Sequence, residues 1–134
     1  MFKKFLNNNK YNEEELIKEL LNPSFNLDKI NKIVNSVPVD VNHLYIEEEL
    51  LFHICCKKDL FQAVLWFIDK KINLELENSE KETAIFYATQ SKTTAIIQAL
   101  VENGINIDHL NIYKRTAIQD AVISANNRIV NYLI

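Results

Sequence analysis

Cys55 and Cys56 stand side by side, and His53 lies two residues before them. Thiolates beside an imidazole can ligate zinc or run thiol–disulfide chemistry. The spacing argues against both. Sequence neighbours rarely bond each other, two cysteines make no disulfide framework, and two vicinal thiols with one His form a poor zinc pattern. Glu47, Glu48 and Glu49 offer adjacent carboxylates that a pocket could use for acid–base work. On an exposed tip without a pocket they are solvated charge, or charge that favours the start of a following helix. The three histidines, His43, His53 and His109, are dispersed. With a single Gly the chain has no phosphate-cradling loop, and no HExxH, CxxC or Gly-x-Ser-x-Gly motif occurs. The chain is therefore expected to be no enzyme, with no catalytic residue, metal site or cofactor.

The elements that carry these residues recur. Thr83-Ala84-Ile85-Phe86-Tyr87-Ala88 returns thirty-three residues later as Thr116-Ala117-Ile118-Gln119-Asp120-Ala121, and Leu50 to Cys55 is a degenerate third copy. Asn78 and Asn111, Ile72-Asn73 and Ile105-Asn106, and the runs Val64 to Ile68 and Ile97 to Val101 keep the same interval. A constant interval of this length marks a stack of identical small units. Each copy opens on a polar turn and then a Thr, whose hydroxyl suits a helix N-cap. A short helix follows, then a polar break and a second helix, Thr94 to Val101 in one copy. Asn103-Gly104 ends that helix, with Gly in the left-handed position. Neither helix can bury its apolar side alone, so neighbouring units must do it. Cys55 falls in the small, buried slot of Ala88 and Ala121, which makes it a core residue.

These residues resemble the ankyrin repeat family. Thr83, Ile85, Ala88, Ile96, Ile97, Leu100, Gly104 and Asn106 match its pattern in one unit, and Thr116, Ile118, Ala121, Ile129, Val130 and Leu133 in the next. The resemblance implies an all-α solenoid of about four stacked helix-turn-helix repeats with short hairpin-like connections. It is a single domain over 1–134. Residues 11–41 are a divergent N-terminal capping repeat, built from Glu13 to Leu21 and Leu27 to Val34 around Asn22-Pro23. Repeats follow at 42–74, 75–107 and 108–134. His53 takes the family's His position, where the resemblance implies hydrogen bonds tying helix to hairpin. The family's Pro is replaced by Ala84 and Ala117. Two of its glycines are replaced as well, by Lys81 and Lys114 at the hairpin and by Asp59, Lys92 and Ala125 between helices. Those turns must be less regular or hold non-Gly residues at positive φ.

The resemblance further implies a non-catalytic module that binds a protein on its hairpin tips and the inner face of its first helices. The partner-facing candidates are Tyr45, Glu47, Glu48, Glu80, Tyr87, Gln90, Tyr113, Lys114, Arg115 and Asp120. Tyr is favoured at interface hot spots. The first two tips are acidic and the third is basic, so a partner with a basic patch is expected. His43 and His109 are expected to face solvent. Nucleic acid is not an expected ligand: the net charge is −3 and no basic stripe with interleaved aromatics occurs. No apolar run approaches membrane-spanning length. Met1 to Leu6 starts like a signal peptide but meets Asn7-Asn8-Asn9-Lys10, so a cytoplasmic location is expected, with other export routes left open. Ile129, Val130, Tyr132, Leu133 and Ile134 crowd the last helix more than one face can bury. This end is a candidate for self-association, for a partner, or for continuation of the natural chain. Two alternative roles are a stand-alone inhibitor or immunity-type protein that occludes a toxin or enzyme, and a recruitment segment of a larger protein.

Overall fold

Among the described residues, four helix pairs follow one another along the chain. The structure is a computed structural model and describes residues 13–36, 38–124 and 127–134. Helix α1 covers 13–20 and α2 Leu27–Ser36; α3 is Leu51–Lys57 and α4 Phe61–Asp69; α5 is Ala84–Ala88 and α6 Ala95–Glu102; α7 is Ala117–Ile123 and α8 Asn127–Leu133. A 3₁₀ turn at Val41–His43 and a two-stranded antiparallel pair, β1 (Tyr45–Ile46) and β2 (Glu49–Leu50), precede α3. First helices pack side by side, α3 on α5 and α5 on α7, and α4 packs on α6 in the second row.

Local chemistry explains each unit. Leu16 and Leu20 on α1 and Ile30 and Ile33 on α2 face each other at helical spacing and are buried. Pro23 ends the first helix, and Asn26 receives the Lys29 amide on its side chain at 3.1 Å at the start of α2. The ion pair Lys29–Glu19, 2.9 Å, ties the two helices. One apolar cluster then runs unbroken through the stack, from Leu16 and Ile30 through Phe52, Phe67, Ile85, Ile97 and Leu100 to Ala121 and Ile129. Cys55 and Cys56 belong to it.

The turns show how a chain with one Gly makes left-handed corners. Gly104, at φ +88, closes α6, and the Ile105 amide reaches back to the Leu100 carbonyl at 3.1 Å. The same five-residue bond closes α4, from Ile72 to Phe67 with Lys71 at φ 63, and α3, from Leu60 to Cys55 with Asp59 at φ 59. The hairpin corners are Lys81 (φ 58) and Lys114 (φ 60), as the missing glycines required. Both hang on one device: the side-chain oxygens of Asn78 and Asn111 each accept two backbone amides across the turn. Lys92 takes the other of the two expected courses. It is not at positive φ; its amide instead donates to the Asp59 carboxylate of the preceding unit at 2.7 Å. Ala125 lies outside the described residues.

Thr83 and Thr116 do open equivalent helices, both with extended backbone. Their side chains diverge. Thr116 accepts the Gln119 amide and Gln119 returns the favour to the Thr116 amide, a reciprocal cap. The Thr83 hydroxyl makes no cap bond and is buried without a partner among the described residues.

Candidate functional site

Stacking brings the hairpins of the second and third units together over α3 and α5. Glu48 and Glu49 come from the first of these hairpins, and Asn78, Ser79, Glu80 and Glu82 from the next. With Lys57 and Tyr87 from the helices and Gln90 from the turn after α5 they line an open hollow of about 460 Å³. Four carboxylates face one ammonium there, so the hollow is strongly negative. Four of the residues singled out in the sequence, Glu48, Glu80, Tyr87 and Gln90, meet in it. Glu48 and Glu49 were expected on a tip without a pocket; the hairpin of the following unit supplies the second wall.

Tyr87 is the hinge of this site. Its side chain is buried, 7% exposed, rather than displayed as its variable position suggested. The ring stacks on His53 with centroids 4.6 Å apart and planes 20° from parallel. Its hydroxyl accepts from the Asn78 amide at 2.8 Å and points to Glu49 Oε1 at 3.5 Å, while Asn78 also donates to Glu82 Oε1 at 3.0 Å. Burial pushes the Tyr87 phenol above its ordinary range, with the carboxylates of Glu49 and Glu82 adding to the shift and the Asn78 bond opposing it. Tyr87 is thus a neutral donor–acceptor at the floor of an acidic basin. Asn78 was legible in the sequence only as a repeated turn residue; its second role as the bridge between Tyr87 and Glu82 needed the fold.

One unit later the same slots carry charge. Asp120 stands at the Tyr87 position and Arg115 at the Glu82 position. They pair at 2.8 Å, and Asn111 donates to the other Asp120 oxygen at 3.2 Å. The Arg115 guanidinium also lies 4.9 Å from the Tyr113 ring centre. Tyr113 is 57% exposed and Tyr45 44% exposed. Glu47 and Lys114 are exposed as well, at positive φ on their tips. These residues flank the hollow along the row of tips without lining it.

The histidines and thiols take structural positions. His53 is buried, and removal from water lowers its pKa to about 4, with a backbone hydrogen bond to Leu76 opposing the shift. Leu76 lies on the approach to the next hairpin, where the resemblance placed such a tie, while the buried Nε2 has no hydrogen-bond partner among the described residues. Burial pushes the Cys55 thiol up to about 12 and Cys56 well above its usual range. Both remain protonated and poor nucleophiles at neutral pH. His43 is exposed as expected, beside Asp40 at 2.7 Å. His109 is not: its side chain is only 20% exposed, and Nε2 lies 3.0 Å from the Lys81 carbonyl and 3.8 Å from Glu77. It reaches back to the preceding hairpin instead of into solvent. Among the described residues, no group of three or more His, Cys, Asp or Glu side chains is placed to hold a metal ion, and no helix is long and apolar enough to cross a membrane.

The family model for ankyrin repeats, three copies long, matches residues 7–110 and 51–134. Among curated proteins, the ankyrin repeat protein R841 of Acanthamoeba polyphaga mimivirus is 31% identical over 58% of this chain and 14% of its own length. Alpha-latrotoxin-Lh1a of Latrodectus hasselti is 37% identical, and alpha-latrotoxin-Lt1a of Latrodectus tredecimguttatus 34%, each over 46% of this chain. The chain spans a small part of these relatives, 5% and 4% of the two latrotoxins.

Proposed function

The chain belongs to the ankyrin repeat family, whose repeats are generally protein–protein interaction modules and typically non-catalytic, and from that premise we propose that it binds a basic protein segment along its row of hairpin tips, centred on the acidic hollow between the second and third units. The observation that carries this reading is the convergence of Glu48, Glu49, Glu80 and Glu82 around the Tyr87 hydroxyl and Gln90. A Lys or Arg side chain entering the hollow would meet carboxylates already held apart by Asn78 and Tyr87, so little ordering is needed on binding. Exposed Tyr45 and Tyr113 supply rigid apolar area on either side. The basic third tip, Lys114 with Arg115, favours a partner whose charge changes sign along its length.

The test compares the wild-type chain with Glu48→Lys/Glu80→Lys. Neither side chain carries a hydrogen bond or ion pair among the described residues, so the fold should survive. A protein captured by the wild type and identified by mass spectrometry is then measured directly by calorimetry at rising salt. The reading requires the double variant to weaken binding by about tenfold or more and to flatten the salt dependence. Equal affinity and an unchanged salt slope would refute it.

A further inference from the structure

Asparagine followed by glycine carries a chemistry of its own. The backbone nitrogen of the second residue can attack the side-chain carboxamide of the first, and glycine hinders that attack least. The chain has a single Gly, so Asn103-Gly104 is its one such pair. The pair closes α6, with Asn103 exposed and Gly104 at φ +88. A Cβ placed on Gly104 would meet nothing within 4 Å among the described residues, so this corner is uncrowded. Asn103 also lines an open hollow of about 210 Å³ with Ile68, Lys71, Ile72 and Leu74, ample for water. Among the described residues, two hydrogen bonds hold the reacting groups. Asn103 Nδ2 donates to the Ala99 carbonyl at 2.8 Å, and the Gly104 amide donates to the Val101 carbonyl at 3.0 Å. Asn103, at ψ 10, keeps the Gly104 nitrogen turned away from its own Cγ. Both bonds lie in the last turn of a helix, which opens more readily than the middle. Asn78-Ser79 is held differently. Asn78 Oδ1 accepts the Glu80 and Glu82 amides, both at 2.9 Å, and Nδ2 donates to Glu82 Oε1 at 3.0 Å and to the Tyr87 hydroxyl at 2.8 Å.

We propose that Asn103 is a self-modification site, at which the folded chain deamidates through brief opening of the last turn of α6. The Gly104 nitrogen bonds to Asn103 Cγ and gives up its proton. The Cγ–Nδ2 bond breaks, and the amide nitrogen leaves with that proton as ammonia. Water then opens the resulting succinimide at one carbonyl or the other, giving aspartate or isoaspartate. Water is the only co-reactant, and nothing is oxidised or reduced. Both products place a carboxylate at the negative end of α6, where the helix dipole disfavours it. Neither can donate to the Ala99 carbonyl. Isoaspartate also adds a methylene to the backbone between α6 and Ile105. The Ile105 amide closes the helix on Leu100 at 3.1 Å, and its side chain is buried in the common core. The seam between the third and fourth units therefore loosens with age. Asn78 escapes because its carboxamide is locked by four bonds, although it sits on a hairpin tip.

Ageing the chain in mildly alkaline buffer, followed by tryptic digestion and mass spectrometry, tests the proposal. Asn103 falls in the peptide 93–114 and Asn78 in 72–81, and fragmentation assigns the altered residue in each. In the folded chain, Asn103 is expected to gain the mass of an amide-to-acid exchange, with an isoaspartate isomer beside it. The same measurement in urea gives the ratio of the two rates set by sequence alone. Folding should widen that ratio in favour of Asn103 by about tenfold or more, because Asn78 must break two further hydrogen bonds to react. Leu51→Ala, in the buried core of α3, lowers the stability of the fold and should leave the Asn103 rate unchanged. Asn103→Gln should abolish the change in 93–114, and Asn103→Asp should lower the urea midpoint. An Asn103 that stays intact in the folded chain while it reacts in urea overturns the proposal. So does a ratio that folding leaves unchanged, or an Asn103 rate that rises with the unfolded fraction in Leu51→Ala.

Discussion

Replacing Thr83 and Thr116 by Val should change stability in opposite directions, although the two residues hold the same place in consecutive repeats. The Thr83 hydroxyl is fully buried and has no partner among the described residues. An unmade hydrogen bond of that kind costs about 1–3 kcal/mol of desolvation. Thr83→Val keeps the branched shape, removes the hydroxyl and sacrifices no cap bond, since none exists. The expected gain is about 1 kcal/mol. Thr116 is half-buried and its oxygen accepts the Gln119 amide at 3.4 Å, a long bond worth less than the usual cap. The return bond from the Thr116 amide to Gln119, 2.8 Å, survives the change. Thr116→Val should therefore lose about 0.5–1 kcal/mol. Urea unfolding followed by circular dichroism, with the slope unchanged, separates the variants by about 1.5–2 kcal/mol. Melting temperatures should diverge by about 3 °C for each kcal/mol in a chain of this size. Equal losses at both positions would show that Thr83 makes a cap after all and would refute the reasoning.

Acid should destabilise the fold through His53. The unfolded imidazole takes its proton near pH 6.5 and the folded one only near 4, so the unfolded chain binds more protons between these values. The contribution is complete above pH 6.5 and is lost as pH falls toward 4, by about 3 kcal/mol in total. His53→Gln should flatten that part of a stability-against-pH curve measured by urea unfolding, and an undiminished slope would contradict the assignment. Lys81→Gly should stabilise by about 0.5–1 kcal/mol, because the corner sits at φ 58 and the side chain makes no hydrogen bond or ion pair among the described residues. A drop in melting temperature would show that the Lys side chain supports the turn.

Much of the architecture was legible because stacking imposes a period on the residues it buries. The interval between Thr83 and Thr116 located the first helices, and Asn103-Gly104 located the end of a second one. The absent glycines left two outcomes open, irregular turns or left-handed non-Gly corners, and Lys81, Lys114 and Asp59 take the second because the backbone path there holds positive φ. Lys92 takes the first because Asp59, a full period away, provides an acceptor that holds its amide. The acidic tips were visible as runs of Glu. Their meeting in one hollow was not, because Glu48 and Glu80 are brought together only by the height of one unit on the next.

The sequence alone determined the repeating unit: which side chains turn inward, where each helix starts and stops, and that the first two tips carry negative charge. Those properties follow from local propensity and from a period that every unit must obey. The tertiary structure decided what differs between equivalent positions. It left the Thr83 hydroxyl without a partner among the described residues but gave Thr116 a cap, and it buried Tyr87 while Asp120 pairs with Arg115. The physical reason is that the burial of a residue in a stack depends on the unit above it, and a local pattern records the unit but not its neighbour.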